Sequence, residues 1–327
     1  MLRDFMLDTL GLMGRHFKQV RGTLDAGLTI FNFHDVSDTP APFVDEQGCN
    51  VTTALFRKQV DFISSNFNVV PAEACLAGDL PARPALITFD DGYAGTFNNA
   101  LPILREDRLP SVVLVNMSPI LGGNFWAERT TYLCRKVESF QKFLIAEGLA
   151  SEANVHQAHV ECTQGLVDRY ESEYGADYLA ELDSYNQPYA TTGNLEEADE
   201  DPNVTLGSHL YTHYNVRTLS DEMLLDQHRK NNAALAGYRR FKPLFAFPFG
   251  QPGSCFTQRQ ADLLLQNGAD LLLTAWPSPN ADSSSRILDR ISLTPEHNTD
   301  RKLWAQVVKY PVLKMLGRAR EPWAQSD

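Results

Sequence analysis

Apolar residues recur along this chain in two rhythms, and the two rhythms alternate. Short dense runs predict buried strands at residues 28–33, 69–70, 85–89, 111–115, 204–206, 244–247, 271–274 and 286–292. Between them apolar residues return every three or four positions, the period of one helix face. That period predicts a helix over 52–67 with Thr52 or Thr53 as cap, and one over 96–108 bent at Pro102. It predicts others over 221–236, capped by Ser220 and closed near Gly237, and over 258–267, closed by Gly268. Strand, helix, strand across 85–115 is a βαβ unit, so the architecture is α/β with parallel strands. Residues 130–190 look helical and exceed what a plain crossover needs. Within them Tyr170, Tyr174 and Tyr178 form a packing stripe. The acidic run 195–201, LEEADED, reads as a solvated turn before the next strand.

Both termini carry helical patterns. In 1–21, Leu2, Phe5, Met6, Leu10, Met13 and Phe17 share one face, and Gly22 ends the pattern. Such a helix packs on its own domain or lies weakly on a membrane surface or partner, and packing is the preferred reading. Residues 300–320 place Arg301, Lys302, Lys309, Lys314, Arg318 and Arg320 among Leu, Val and Trp. A solvated last helix is preferred there over docking on anionic lipid, and the tail beyond Glu321 should fray.

The chemistry concentrates at two strand ends. Residues 85–92 read ALITFDDG, so a buried strand ends in Asp90 and Asp91. The C-terminal edge of a parallel sheet is where chemistry sits in such folds. Adjacent carboxylates repel, and a metal on one would leave the other free as a base. An Asp-Gly turn without function is the plain alternative. Residues 204–220, VTLGSHLYTHYNVRTLS, end a second strand and bring His209 and His213. Histidines four apart share one face of a helical turn, about 5–6 Å between Cβ atoms, which suits two ligands on one metal. Solvated helix histidines are the competing reading. No glutamate follows His209, so the zinc-protease HExxH pattern is absent.

With TFDDG at 88–92, GSHLYTH at 207–213 and FAFPFG at 245–250, the chain resembles the polysaccharide deacetylases, the NodB-homology group of carbohydrate esterases. The resemblance spans about residues 29–298. It implies a distorted, incomplete, seven-stranded (β/α) barrel related to the TIM barrel. It also implies Asp90 as catalytic base and Asp91, His209 and His213 as ligands of a divalent transition metal. Zinc is the first choice, with cobalt, nickel or iron as alternatives. The implied substrate is an N-acetylated sugar of surface-polysaccharide metabolism. A non-catalytic glycan-binding or scaffold protein on the same fold, or a deformylase or O-deacetylase, are the alternatives.

Several residues fill the remaining roles, His34 and residues 247–249 by that resemblance and Trp126 and Arg290 by their residue types. His34, in FHDV at a strand end, is the first choice of proton donor and His297 the second, since the family's late leucine-His motif is not evident. His34 as a capping or packing histidine is an equal alternative. Phe247, Pro248 and Phe249 line the groove, and Arg290 is set beside them as substrate-binding. Trp126 offers a sugar-stacking face, with a core aromatic as the competing reading. The family's arginine before the aromatic-proline unit is missing, since 242–248 read KPLFAFP, and this puts the orientation of the base in doubt.

Composition adds boundaries. The chain of 327 residues is 43% hydrophobic and 21% charged, ordinary for a globular protein with a sizeable core. Five scattered cysteines without a CxxC argue against a disulfide framework and favour a reducing compartment. No run suits a membrane span, and the N-terminus is a poor signal peptide, so the expectation is cytoplasmic. The net charge of −12 resides in residues 151–201, which hold thirteen Asp and Glu against Arg169 alone. Lacking a basic stripe, the chain is not a nucleic-acid binder. The expected division is a helix at 1–21, a catalytic domain at 22–299 with a helical acidic insertion around 138–201, and a basic helix and tail at 300–327. A peripheral acidic insertion should repel anionic glycans and favour a neutral or amino sugar.

Overall fold

The short apolar runs pair side by side, all in one direction. The computed structural model describes residues 16–319 together with Thr9, Met13, Gly14 and Trp323. Among them are the strands β1 (Thr29–Phe33), β2 (Asp35–Val36), β3 (Asn50–Val51), β4 (Asn68–Val69), β5 (Pro84–Phe89) and β6 (Ser111–Val115). They continue as β7 (Val204–Ser208), β8 (Phe241–Ala246), β9 (Leu271–Leu273), β10 (Ile287–Leu288) and β11 (Ile291–Ser292). Nine form one sheet in the order β10-β9-β8-β7-β6-β5-β1-β11, with β4 beside β5 off that path. β2 and β3 form a pair of their own.

The two ends of that path are consecutive in the chain. Only Asp289 and Arg290 separate β10 from β11. The sheet therefore curls until its edges meet at an interrupted strand, an incomplete (β/α) barrel. Taking β10 and β11 as one strand, its wall has seven: β1, β5, β6, β7, β8, β9 and β10/β11.

Strand alternation sorts the side chains into two layers. Ile30, Leu86, Val112, Leu114, Leu244, Ala246, Leu273 and Leu288 pack together inside the barrel. Their neighbours Phe31, Phe33, Ile87, Phe89, Val113 and Val115 pack outward with the helices. Burial on both faces explains why these strands read as unbroken apolar runs. The same parity carries Asn32, Thr88, Asp90 and Arg290 to the inner face at the strand ends.

The predicted caps are present. Thr52 accepts from the Leu55 N–H ahead of helix Thr53–Asn66, and Ser220 from the Met223 N–H ahead of helix Asp221–Leu235. Pro102 does disturb its helix: a wide turn at Thr96–Ala100 precedes the regular Leu101–Glu106, because proline cannot donate to the carbonyl four residues back.

Four expectations are corrected. Gly22 does not end a helix but lies inside Lys18–Ala26, which starts only after a turn at His16 and Phe17. A Cβ at Gly22 would meet open space, whereas one at Gly27 would run into the Asn280 carbonyl, so Gly27 is the glycine the structure requires. Leu2, Phe5, Met6 and Leu10 lie outside the described residues, as does the tail beyond Glu321 apart from Trp323. Residues 195–201 are not a turn. They fall in helix Thr192–Glu200 and Asp201, with Leu195 and Ala198 buried and Asp199 and Asp201 paired with Arg239 and Arg105. The tyrosine stripe is split, because helix Gln164–Tyr174 ends before Gly175 at φ 82° and Tyr178 belongs to the following turn. The last helix stops at Met315 and buries Leu303, Trp304, Val307, Val308 and Val312. Trp304 meets Phe62 edge-on at 5.2 Å, so the apolar face of this helix covers the barrel and is not presented to lipid. No helix among the described residues is long and apolar enough to cross a membrane.

Between β6 and β7 the chain adds no strand among the described residues. It forms helices Trp126–Lys136, Glu138–Ala146, Gln164–Tyr174, Leu179–Tyr185 and Thr192–Glu200, with a 3-10 turn at Val155–Glu161. All but the last helix share an aromatic cluster that includes Tyr132, Phe140, Phe143, Tyr170 and Tyr185, whereas Leu195 and Ala198 of the last pack with the outer layer of the barrel. On its way back the segment braces the Asp90-Asp91 turn. Ala94 donates its N–H to the Pro188 carbonyl at 2.8 Å, and Ala190 donates to Gly92 at 2.9 Å.

Candidate metal centre and cavity

β5 delivers Asp90 and Asp91 on a tight left-handed turn, with φ 73° at Asp91 and 81° at Gly92. At Gly92 a side chain would also crowd Val115, 3.1 Å away, so glycine is needed there. Asp91 has no such freedom, and its strained backbone is held by the pairing with residues 188–190.

His209 and His213 do come together, but not on a helix. Residues 209–215 form an irregular loop, and Leu210 and His213 are left-handed at φ 66° and 61°. The loop is pinned by bonds that no periodicity encodes. His209 donates its N–H to Val115 O at 3.0 Å, Ser118 to Tyr211 O at 3.0 Å, and Trp126 to Thr212 O at 3.1 Å. The Asn116 amide donates to the His209 and Leu210 carbonyls. The two imidazole centroids lie 4.8 Å apart.

Asp91 Oδ1 stands 3.4 Å from His209 Nε2 and 3.3 Å from His213 Nε2, and all three residues are buried. That oxygen has no hydrogen-bond partner. Their ligand atoms lie within 4.8 Å of one another. His209 Nδ1 lies 3.0 Å from the Ala246 carbonyl, which fixes Nδ1 as the donor and leaves Nε2 free to ligate. Burial pushes His213 down to about 3, so its imidazole is neutral, as ligation requires. Burial would lower His209 too, but the Asp90 and Asp91 charges outweigh it and raise it. One carboxylate and two imidazoles converging on an unmatched buried oxygen fit a divalent transition metal.

Asp90 is held apart from this set. Arg290 grips it with two bonds of 2.7 Å, one to each carboxylate oxygen, and the Asn32 amide donates to Oδ2 at 3.0 Å. Arg290 is oriented in turn by the Thr274 carbonyl at 2.8 Å and Asn32 Oδ1 at 2.9 Å. Burial would raise the Asp90 carboxyl, but the paired guanidinium wins and holds it well below the usual carboxylate range. Arg290, expected to bind substrate, has its fork engaged by Asp90, and it also lines the cavity that holds Asp90. It also answers the missing arginine before the aromatic-proline unit: the orienting arginine enters from the interrupted strand on the other side. Strand parity with Leu288 was the available signal. Asn32, two residues before His34, was missed although its parity matches.

Asp90, Asp91, His209 and His213 line a cavity of about 560 Å³. His34, Phe247 and Phe249 line it as well. Trp126 does not: it is 2% exposed and packs on Tyr214 at 5.0 Å, while its neighbour Phe125 forms the wall. Pro248 is also absent from the wall, though both its neighbours are in it. His297 lies elsewhere, beside the last helix, with its Nδ1 accepting from the Thr294 N–H at 3.0 Å. Asp35 is turned away from His34 and accepts from the Gln187 amide at 2.8 Å. Burial raises Asp35 to about 7 and Glu128, behind it, to about 8.

No family model and no curated protein matches the sequence. Solved structures do match. IcaB from Ammonifex degensii is similar at a TM-score of 0.58 and 18% identity, over 86% of this chain and 98% of its own. The Streptococcus pyogenes deacetylase PplD, solved in complex with acetate, is similar at 0.56 and 15%, over 86% and 99%. BC0361, a polysaccharide deacetylase from Bacillus cereus, is similar at 0.54 and 12%, over 87% and 69%. At such identities the likeness establishes the fold, and it agrees with the incomplete barrel described above.

Proposed function

We propose that this chain is a metal-dependent deacetylase that removes an acetyl group from an N-acetylated sugar. The observation that carries it is the buried Asp91, His209 and His213 set beside a second carboxylate, Asp90, locked by Arg290. A glycan-binding protein would have no use for a separately oriented base. The likeness to PplD and BC0361, both deacetylases, supports the same reading.

Asp91 Oδ1 and the Nε2 atoms of His209 and His213 would hold the metal, zinc being the first choice. When bound, the metal supplies Lewis acidity toward the acetyl carbonyl and the attacking water. Asp90 takes the proton from that water. Because Arg290 lowers its proton affinity, Asp90 stays ionised into the acid range and holds the accepted proton weakly. That proton can pass to the leaving nitrogen, with His34 as the second group able to supply it. The aromatic wall at Phe125, Phe247, Phe249 and Trp276 suits the apolar faces of a sugar ring, while neighbouring polar groups fix its orientation. The catalytic unit is taken as 22–299 with the insertion around 138–201. Free cysteines throughout support a reducing compartment, hence the cytoplasm.

Element analysis should find about one transition metal per chain, with acetate release from an N-acetylated oligosaccharide abolished by chelation. Asp90→Asn should keep the metal and lose roughly 10²–10⁴ in rate. If the triple alanine variant of Asp91, His209 and His213 retains its metal, the assignment is wrong. If Asp90→Asn loses metal as well, the two aspartates do not divide their roles as proposed.

A further inference from the structure

Resting on the deacetylase reading, the geometry points to His159, carried by the helical segment between β6 and β7, as a hydrogen-bonding contact to the sugar. The barrel itself supplies the metal set and base from its strand ends. His159 belongs to the 3-10 turn Val155–Glu161, yet it lines the same cavity. Its ring centroid lies 6.1 Å from that of Phe249, whose ring also meets that of His213 at 4.9 Å. Phe249 thus touches both His159 and the metal set, and His159 is not among the clustered ligand atoms. A residue so placed can reach a substrate held at the metal without becoming a ligand.

The turn that carries it is anchored on both sides. His156 Nδ1 lies 3.2 Å from the Cys134 carbonyl, and the Asn215 amide donates to the Val160 carbonyl at 2.9 Å. Asn215 follows His213 by two residues, so the metal-site loop and the inserted turn are fastened together. His159 is half-buried, and its Nδ1 is enclosed on the His156 backbone side, which leaves Nε2 as the nitrogen available to a ligand. Burial, aided by Arg135, lowers it to about 4, so at neutral pH the ring offers one N–H and one lone pair. A sugar hydroxyl or amide can pair with such a ring, whereas the phenylalanine rings around it can only stack.

This gives the insertion a part in recognition beyond packing. The test uses a soluble β-linked tetramer of N-acetylglucosamine as probe. His159→Ala should raise KM about tenfold while kcat changes less than about threefold, the signature of lost uniform binding. Metal content should be unchanged, and His159→Gln, which keeps a hydrogen-bonding group, should recover part of the loss. Calorimetry on Asp90→Asn against Asp90→Asn/His159→Ala reads the same contact without turnover and should show affinity falling about tenfold. Unchanged KM and affinity would overturn the proposal, as would a fall confined to kcat. A wild-type protein that binds the tetramer without releasing acetate would end the deacetylase reading and leave His159 to be judged by calorimetry. One that neither binds nor cleaves it would overturn both.

Discussion

Replacing Arg290 with methionine should move the acid limb of activity and lower stability together. Arg290 is 1% exposed and Asp90 3%, and two bonds of 2.7 Å join them in the cavity floor. Methionine fills much of the volume but leaves a buried carboxylate without its cation. Breaking a buried pair in this way costs about 3–5 kcal/mol. At roughly 2 °C per kcal/mol for a chain of this size, the melting temperature at neutral pH should fall by about 6–10 °C. The sign of the pH dependence also reverses. In the wild type the folded Asp90 carboxyl lies below its ordinary value of 3.8, so the pair stabilises above that value and its contribution is lost as pH falls. Without Arg290, burial is the dominant influence and pushes the carboxyl above 3.8, so the variant loses stability as pH rises through that range. A base that protonates at higher pH also shifts the acid limb of kcat/KM upward. The assay is thermal denaturation across pH 4–9 with kcat/KM profiles at matched points. Arg290→Lys, which keeps a charge but not the fork, should fall between. An acid limb that stays in place, with a melting temperature within about 2 °C of wild type, would refute the reasoning.

His34→Gln, with metal intact, should lower the rate at least roughly tenfold and remove the alkaline limb; an unchanged bell would remove His34 as proton donor. His297→Gln should change acetate release little, because that ring is bonded to Thr294 and stands behind the lining residue Gln306, not in the cavity wall; a large rate loss would contradict the placement. Glu128 is fully buried and raised to about 8 by that burial, so between its ordinary 4.5 and 8 the unfolded chain sheds a proton the folded one keeps, and stability declines. Glu128→Gln should match wild type below about pH 4.5 and exceed it increasingly up to pH 8; parallel denaturation curves across that window would refute it. With its excess negative charge in 151–201, the protein should bind strongly acidic polysaccharides weakly, and tight salt-sensitive binding in a retention assay would contradict this.

The sequence by itself determined the strands of the barrel wall, the caps Thr52 and Ser220 and the identity of most of the chemical residues. Unbroken apolar runs at β1, β5, β6 and β7 announced strands buried on both faces, because such strands have no polar side to show. The Asp90-Asp91 pair was legible because it follows one of these runs directly. His209 and His213 were legible for a reason that did not hold. Their spacing suggested a helix, yet they meet on a loop with two left-handed residues, secured by Asn116, Ser118 and Trp126 from the preceding crossover. Those bonds join residues about ninety positions apart, and local pattern carries no trace of them. The same limit applies to Arg290, which lies 200 residues from the carboxylate it orients. It applies to His159, whose approach to the cavity depends on how an insertion folds back. Trp126 and Phe125 differ by one position, and only packing against Tyr214 decides which of them faces the cavity. Local chemistry is written in the chain order, whereas closure of the barrel, at Asp289 and Arg290, chooses which distant groups complete the site.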